Sequence, residues 1–285
     1  MESEQMDEVG LGKSLQDARK KSGLTQQELC QKAGISYSTL AKIERGAIKS
    51  PSVFTIQNIA TALGLTLSQL MGDKTSPGDG KRRSQSGVRF IYFDINGVLV
   101  RFFQKAFTKL STDIKVPADS IETAFWHFND SACRGEMLAE EFNKAFSERL
   151  GVPYFEWQMY YFDAIEPITE MHKLAEWADQ FYHVGLLSNI MPGFMDVMFT
   201  KGLLPDIDYD AIIDSSKVGA IKPEPRIFEL AQEWTDCDPS EVLLIDDSRT
   251  NLMAAERFGW HVLWFDYLHP EESANHIRET LAPVG

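Results

Sequence analysis

The sequence predicts an α/β protein: a doubly wound, mostly parallel sheet with an inserted helical cap, preceded by a small all-α module. Three observations carry that prediction. Beyond residue 88, five short runs rich in β-branched and aromatic residues are separated mostly by helical stretches, the order expected of a parallel sheet covered on both faces. Between the first and second of those runs lies a helical, aromatic insertion spanning about 103–162. Ahead of them, residues 10–72 show only short helical patterns.

Size and charge divide the chain in the same way. At 285 residues it exceeds one average domain, and 44% hydrophobic content supplies core for two units. The net charge of −14 hides an asymmetry: residues 10–87 hold 12 basic against 5 acidic side chains, whereas residues 88–285 hold 16 against 33. A small basic module joined to a large acidic one implies different partners, one of them a polyanion. The chain therefore reads as an acidic leader over 1–9, a helical module over 10–72, a linker over 73–87 and an α/β domain over 88–285. No apolar run reaches the roughly 18 residues of a membrane span, and the Met-Glu-Ser-Glu start is unlike a signal peptide, so a soluble, cytoplasmic protein is expected. Cys30, Cys133 and Cys237 match no zinc or redox spacing and read as reduced thiols.

In the first module the helical patterns run over Leu11 to Lys21, Thr25 to Ala33, Ser36 to Arg45 and Ser52 to Leu63, with a last turn near Leu67 to Met71. Thr25 and Ser36 are placed as N-caps, and Gly34 supplies the turn between the second and third helices. Two short helices joined by a three-residue turn inside a small bundle form a helix-turn-helix.

The run from Thr25 to Gly46, TQQELCQKAGISYSTLAKIERG, closely resembles the Xre/Cro class of DNA-binding domain over roughly residues 10–71. In that class the third helix enters the major groove by its N-terminal residues, here Ser36, Tyr37, Ser38 and Thr39, with Lys42 one turn on. The resemblance also places Gln26 near a phosphate, with Arg45 and Lys49 as phosphate neighbours. The alternative is a helical protein-interaction module, which would need the same core of Leu29, Ala33, Leu40 and Ile43. The basic balance and the small polar residues on the third helix favour DNA. The linker, DKTSPGDGKRRSQSG, has no apolar periodicity, and its Lys81, Arg82 and Arg83 are either phosphate contacts or a solubilising cluster.

Three strands of the larger domain deliver polar residues at their C-terminal ends, where open parallel sheets bind ligands. The run Phe90 to Phe93 leads into Asp94; His183 to Leu187 leads into Ser188 and Asn189; Val242 to Ile245 leads into Asp246 and Asp247. Lys222 opens the KPEPRIFELA helix between them, and Ala211 to Ile213 and His261 to Phe265 complete the sheet. A carboxylate nucleophile, a hydroxyl, a lysine and clustered acids suit phosphoryl transfer, with Mg²⁺ to offset the carboxylates.

Read in order, DINGVL, LSN, KPEP and IDDSRTN resemble the motifs of the haloacid dehalogenase superfamily, from about residue 89 to 267. The resemblance implies that Asp94 is the nucleophile that becomes phosphoaspartate and that Ser188 and Asn189 bind phosphate. It implies that Lys222 neutralises both groups, and that Asp94, the backbone of Asn96, Asp246 and Asp247 hold Mg²⁺. The insertion then corresponds to the helical cap associated with small phosphorylated metabolites. Asn96 departs from the pattern, because most family phosphatases carry an Asp there that protonates the leaving group and later activates water. An amide exchanges no proton, and losing general acid–base help costs ~10²- to 10⁴-fold in rate.

The reading expected from these features is a DNA-binding transcriptional regulator, a homodimer on a pseudo-palindromic operator, whose larger domain binds Mg²⁺ and a small phosphorylated metabolite with weak or absent turnover. The alternative is an active Mg²⁺-dependent phosphomonoesterase whose helix-turn-helix only localises or autoregulates it. A scaffold retaining idle motifs is a further reading, disfavoured because buried charges such as Asp94, Lys222 and Asp246 are costly when unpaired.

Overall fold

A computed structural model describes residues 10–22, 24–45, 47–48, 51–63, 65, 84 and 86–282. The chain divides into two compact units, Met1–Asp79 and Gly80–Gly285.

Among its described residues the first unit is all-α, with helices α1 (Gly10–Lys21), α2 (Gln26–Ala33), α3 (Tyr37–Glu44) and α4 (Val53–Leu63). The expected turn near Leu67 to Met71, Lys49, and the linker basic residues Lys81, Arg82 and Arg83 lie outside the described residues. Both anticipated caps form. The Thr25 hydroxyl accepts from the Glu28 N–H at 3.2 Å while the Thr25 N–H donates to Glu28 Oε2 at 2.7 Å, a reciprocal box that satisfies the helix's first donors. The Ser36 hydroxyl accepts from the Thr39 N–H at 3.1 Å. Gly34 closes α2 at φ +63°, where a Cβ would strain the turn. Leu15, Leu29, Ala33, Leu40, Ile43, Ile56 and Ile59 form the core between the helices.

The second unit is built on a five-stranded parallel sheet in the order β3-β2-β1-β4-β5. The strands are β1 (Phe90–Phe93), β2 (His183–Ser188), β3 (Ala211–Asp214), β4 (Val242–Asp246) and β5 (His261–Trp264). β1 has no alternation of apolar and polar residues because both of its faces are covered. Ile91 and Phe93 face one core with Val184, Leu186, Leu243 and Ile245; Phe90 and Tyr92 face the other with Leu187, Ile213, Val242 and Leu244.

The insertion forms α5 (Gln104–Ile114), α6 (Ala118–Cys133), α7 (Ala139–Leu150) and α8 (Trp157–Ala164). Its interior is a lattice of rings, Phe103, Phe107, Phe125, Phe142, Phe146 and Trp157, with centroids 4.9 to 6.1 Å apart. α9 (Thr169–Asp179), α10 (Phe194–Thr200) and α14 (Pro270–Thr280) pack on the core that the insertion shares. α12 (Pro225–Glu233) and α13 (Arg249–Phe258) cover the opposite face, and the short α11 (Ser215–Val218) follows β3. No helix among the described residues is long and apolar enough to cross a membrane.

Candidate metal and phosphate site

Register brings the acids together. In the parallel ladder Phe93 pairs with Ile245, and the Asp94 N–H continues it to Ile245 O at 3.0 Å, so Asp94 and Asp246 leave adjacent strands at one level. On the other side Phe93 pairs with Leu186, which sets Ser188 at the same edge.

Lys222 Nζ sits between two carboxylates, 3.0 Å from Asp94 Oδ1 and 2.6 Å from Asp246 Oδ2, and all three side chains are buried. Asp246 is held further by the Ser248 N–H at 2.8 Å and by the Asn251 amide at 3.1 and 3.2 Å. Asp94 Oδ1 accepts from the Ile95 N–H at 2.7 Å. Carboxylate oxygens of Asp94, Asp246 and Asp247 lie within 4.8 Å of one another. Gly97 is required beside them: its φ is +87°, and a Cβ there would lie 2.2 Å from Asp247 Oδ2.

Three acids face one lysine, and the imbalance shows in their protonation. Burial pushes Asp94 up to about 6, opposed by Lys222 and reinforced by Asp246. Burial, then Asp94 and Asp246, push Asp247 up to about 7. Burial works against the Lys222 charge, but Asp246 and Asp94 outweigh it and raise its pKa overall. A cluster of hard oxygen donors with excess negative charge fits a divalent cation such as Mg²⁺. Beside it, the Ser188 hydroxyl is fully buried and has no hydrogen-bond partner among the described residues. An orphaned buried hydroxyl costs about 1–3 kcal/mol, and a phosphate oxygen would satisfy it.

Other expected residues are committed differently. The Asn189 side chain is spent on the backbone of Lys222: Nδ2 donates to Lys222 O at 2.8 Å and Oδ1 accepts from the Lys222 N–H at 2.7 Å. It positions the lysine. Asn96 Oδ1 accepts from the hydroxyl of Tyr161 at 2.6 Å, so the insertion reaches back to the Asp94 loop. Arg134, in the turn after α6, grips Glu224 through Nε at 3.0 Å, and Glu224 also accepts from the Ile221 N–H at 3.2 Å. Ser215, a buried residue with no motif to announce it, donates to Cys133 O at 2.6 Å and accepts from the Ile190 N–H at 2.9 Å.

In the first unit Tyr37 is 54% exposed, which removes it from the bundle core. Ser36, Ser38, Lys42 and Arg45 are exposed and Thr39 half-buried, so the third helix keeps an open polar face. Gln26 donates to Glu44 Oε2 at 2.6 Å and so braces the buried Arg19–Glu44 pair, in which Arg19 Nε lies 2.7 Å from Glu44 Oε1.

Comparison with known proteins bears on both units. The family model for haloacid dehalogenase-like hydrolases matches residues 88–259, and a helix-turn-helix family model matches residues 15–70. Acyl-CoA dehydrogenase family member 10 of Mus musculus is 27% identical over 71% of this chain, although the match spans only 20% of that protein. The immunity repressor protein of Bacillus phage phi105 is 40% identical over 23% of the chain and 44% of its own length. Among solved structures, a haloacid dehalogenase family enzyme from Bacteroides thetaiotaomicron in complex with magnesium and inorganic phosphate superposes with a TM-score of 0.51 at 22% identity, covering 64% of this chain and 96% of the other.

Proposed function

Since the chain belongs to the haloacid dehalogenase-like hydrolases through residues 88–259 and carries a helix-turn-helix domain over 15–70, we propose that it is a DNA-binding transcriptional regulator. Its larger domain binds Mg²⁺ and a small phosphorylated metabolite, turns it over weakly or not at all, and adjusts the DNA binding of the head. The observation that carries this reading is the pairing of a complete charge set at Asp94, Lys222, Asp246 and Asp247 with an amide, Asn96, where proton transfer is needed.

Mg²⁺ bound there would offset the three acids and polarise a phosphoryl oxygen. Lys222 holds charge against the phosphate, the Ser188 hydroxyl donates to it, and Asp94 faces phosphorus as the nucleophile. Asn96 offers its backbone carbonyl and contributes no proton. The protein from Bacteroides thetaiotaomicron, solved with both magnesium and phosphate, supports the ligand pair. In the head, Ser36, Tyr37, Ser38, Thr39 and Lys42 contact the major groove of a pseudo-palindromic operator, Gln26 and Arg45 flank phosphates, and a homodimer spans two half-sites. The phage repressor relative supports that assignment. Gel-shift titration of genomic fragments should show binding that phosphorylated metabolites modulate; binding indifferent both to them and to Asp94→Ala removes the sensing role.

Retention of Lys222 between two carboxylates favours one second reading, a working phosphomonoesterase whose head localises it. Turnover of phosphomonoesters at rates typical of enzymes, abolished by Asp94→Asn, would select it.

A further inference from the structure

A cavity lies between the insertion and the core, and the polar side chains in its wall are Asn96, Asn129, Cys133, Trp157, Tyr161 and Asn189. The rest of the wall is apolar, and no residue in it carries a charge. Asp94 is not part of it, but Asn96 stands two residues beyond Asp94 and Asn189 one beyond Ser188, so the cavity adjoins the phosphate site. Two of its donors are uncommitted. Trp157 is 1% exposed, and its indole N–H has no partner among the described residues. Tyr161 is buried with its ring against Phe103 and Phe194, centroids 5.0 and 4.9 Å away, and its hydroxyl proton goes to Asn96 Oδ1 at 2.6 Å. That bond fixes which way the amide faces: with Oδ1 taken, Nδ2 is left with two N–H donors and no partner among the described residues.

Resting on the phosphate-site reading above, we propose that the phosphorylated metabolite carries an uncharged, hydroxyl-bearing organic part, bonded by Asn96 Nδ2 and Trp157 Nε1, and that Tyr161 is the positioning residue that turns the Asn96 amide towards it. A carboxylate or an ammonium placed against this wall would lose its water and find no counter-charge, whereas a hydroxyl or ester oxygen meets two neutral donors that now have nothing to bond. The cavity measures about 20 Å³, room for about one water, so a larger group displaces part of the wall. Whichever part yields, the surface that the group meets is uncharged. Asn96 bonds an oxygen without giving up its proton, so the contact is as strong before the ester bond breaks as while it breaks. An interaction of that kind tightens binding and does not raise turnover. Tyr161 acts through Asn96: an amide released from it also presents Oδ1, which repels an ester oxygen.

The test uses the full chain with saturating Mg²⁺ and calorimetric titration of matched esters: glycerol phosphate against phosphoglycerate and against propyl phosphate, and ethyl phosphate against ethanolamine phosphate. Where an ester is hydrolysed, kcat/KM takes the place of Kd. Glycerol phosphate should bind at least ~10-fold tighter than phosphoglycerate, and ethyl phosphate at least ~10-fold tighter than ethanolamine phosphate. Charged esters that bind as well as the uncharged ones overturn the ligand class; so does rejection of the carboxylate alone, which the three acids would produce by repulsion with no cavity involved. Propyl phosphate binding as tightly as glycerol phosphate overturns the requirement for hydroxyls. Tyr161→Phe should weaken glycerol phosphate about two- to tenfold, with Mg²⁺ affinity unchanged, and should add nothing in an Asn96→Ala background. Equal losses in both backgrounds would give Tyr161 a packing role and overturn the positioning. The esters are compared on the natural chain, so that comparison stands whether or not a variant folds. If inorganic phosphate with Mg²⁺ fails to raise Tm, the phosphate site falls and this inference with it; if phosphate binds but no ester is preferred, this inference falls alone.

Discussion

Two buried charge clusters among the described residues differ in whether the charges balance. In the head, Glu44 receives Arg19 through Nε at 2.7 Å and Nη2 at 3.1 Å and Gln26 at 2.6 Å, while Arg19 Nη1 donates to Leu24 O at 2.9 Å. One cation meets one anion, and nothing is owed to a ligand. In the larger unit one lysine meets three acids, two of them held above their ordinary pKa, and a serine hydroxyl has no partner among the described residues. A saturated cluster is architecture. An unsaturated one has the charge imbalance that a bound cation would relieve.

Breaking the saturated cluster should produce the largest effect. Glu44→Ala leaves the buried Arg19 unpaired, which costs about 3–5 kcal/mol and unfolds a head of this size at ordinary temperature. Circular dichroism should lose part of its helical signal in that variant. The tryptophan transition should not move, since all six tryptophans lie beyond residue 88. A head that stays folded would show that the pair contributes little.

The unsaturated cluster should instead respond to pH and metal. Asp94 near 6 and Asp247 near 7 lie above the unfolded carboxyl value of about 3.9, so the folded state binds the extra protons. That stabilisation is complete below about pH 4 and lost as pH rises through about 6 to 7. In EDTA the urea midpoint of the tryptophan transition should therefore fall between about pH 5 and 8; saturating Mg²⁺ should restore it, and Asp247→Asn should flatten the slope. A midpoint insensitive to both pH and Mg²⁺ would place this cluster with the saturated one.

The smallest expected effect belongs to the link between insertion and loop. Tyr161→Phe removes one hydrogen bond to Asn96 and should cost about 0.5–1.5 kcal/mol in the tryptophan transition, with the aromatic lattice intact. A loss several times larger would mean that the hydroxyl organises the whole insertion.

Much of this was legible in the sequence, and for a physical reason. The strand ends, the two N-caps and the glycine turn are written in contiguous residues, where periodicity and propensity act directly. Asp94, Ser188 and Asp246 could be grouped because parallel strands bring their C-terminal ends to one edge. Contacts made at a distance were not legible. Tyr161 stood among several insertion aromatics, and nothing in their spacing says which ring turns towards Asn96, 65 positions away. Arg19 and Glu44 counted as two ordinary charges until the bundle folded them together, and Asn189 looked free for phosphate until the backbone of Lys222 came to lie across it. Ser215 carried no signal, because a pair of serines after a short strand is what many turns contain.

The pairing of β1 with β4 carries a last consequence, for the life of the chain during synthesis. Asp94 meets Asp246 only after about 150 further residues have been made, a separation that slows folding, whereas the head closes on contacts made within its own first stretch. On the ribosome the head is complete while the sheet that gathers the three acids is still missing a central strand. Each new molecule thus completes its helix-turn-helix before the strands that carry its three clustered acids have paired.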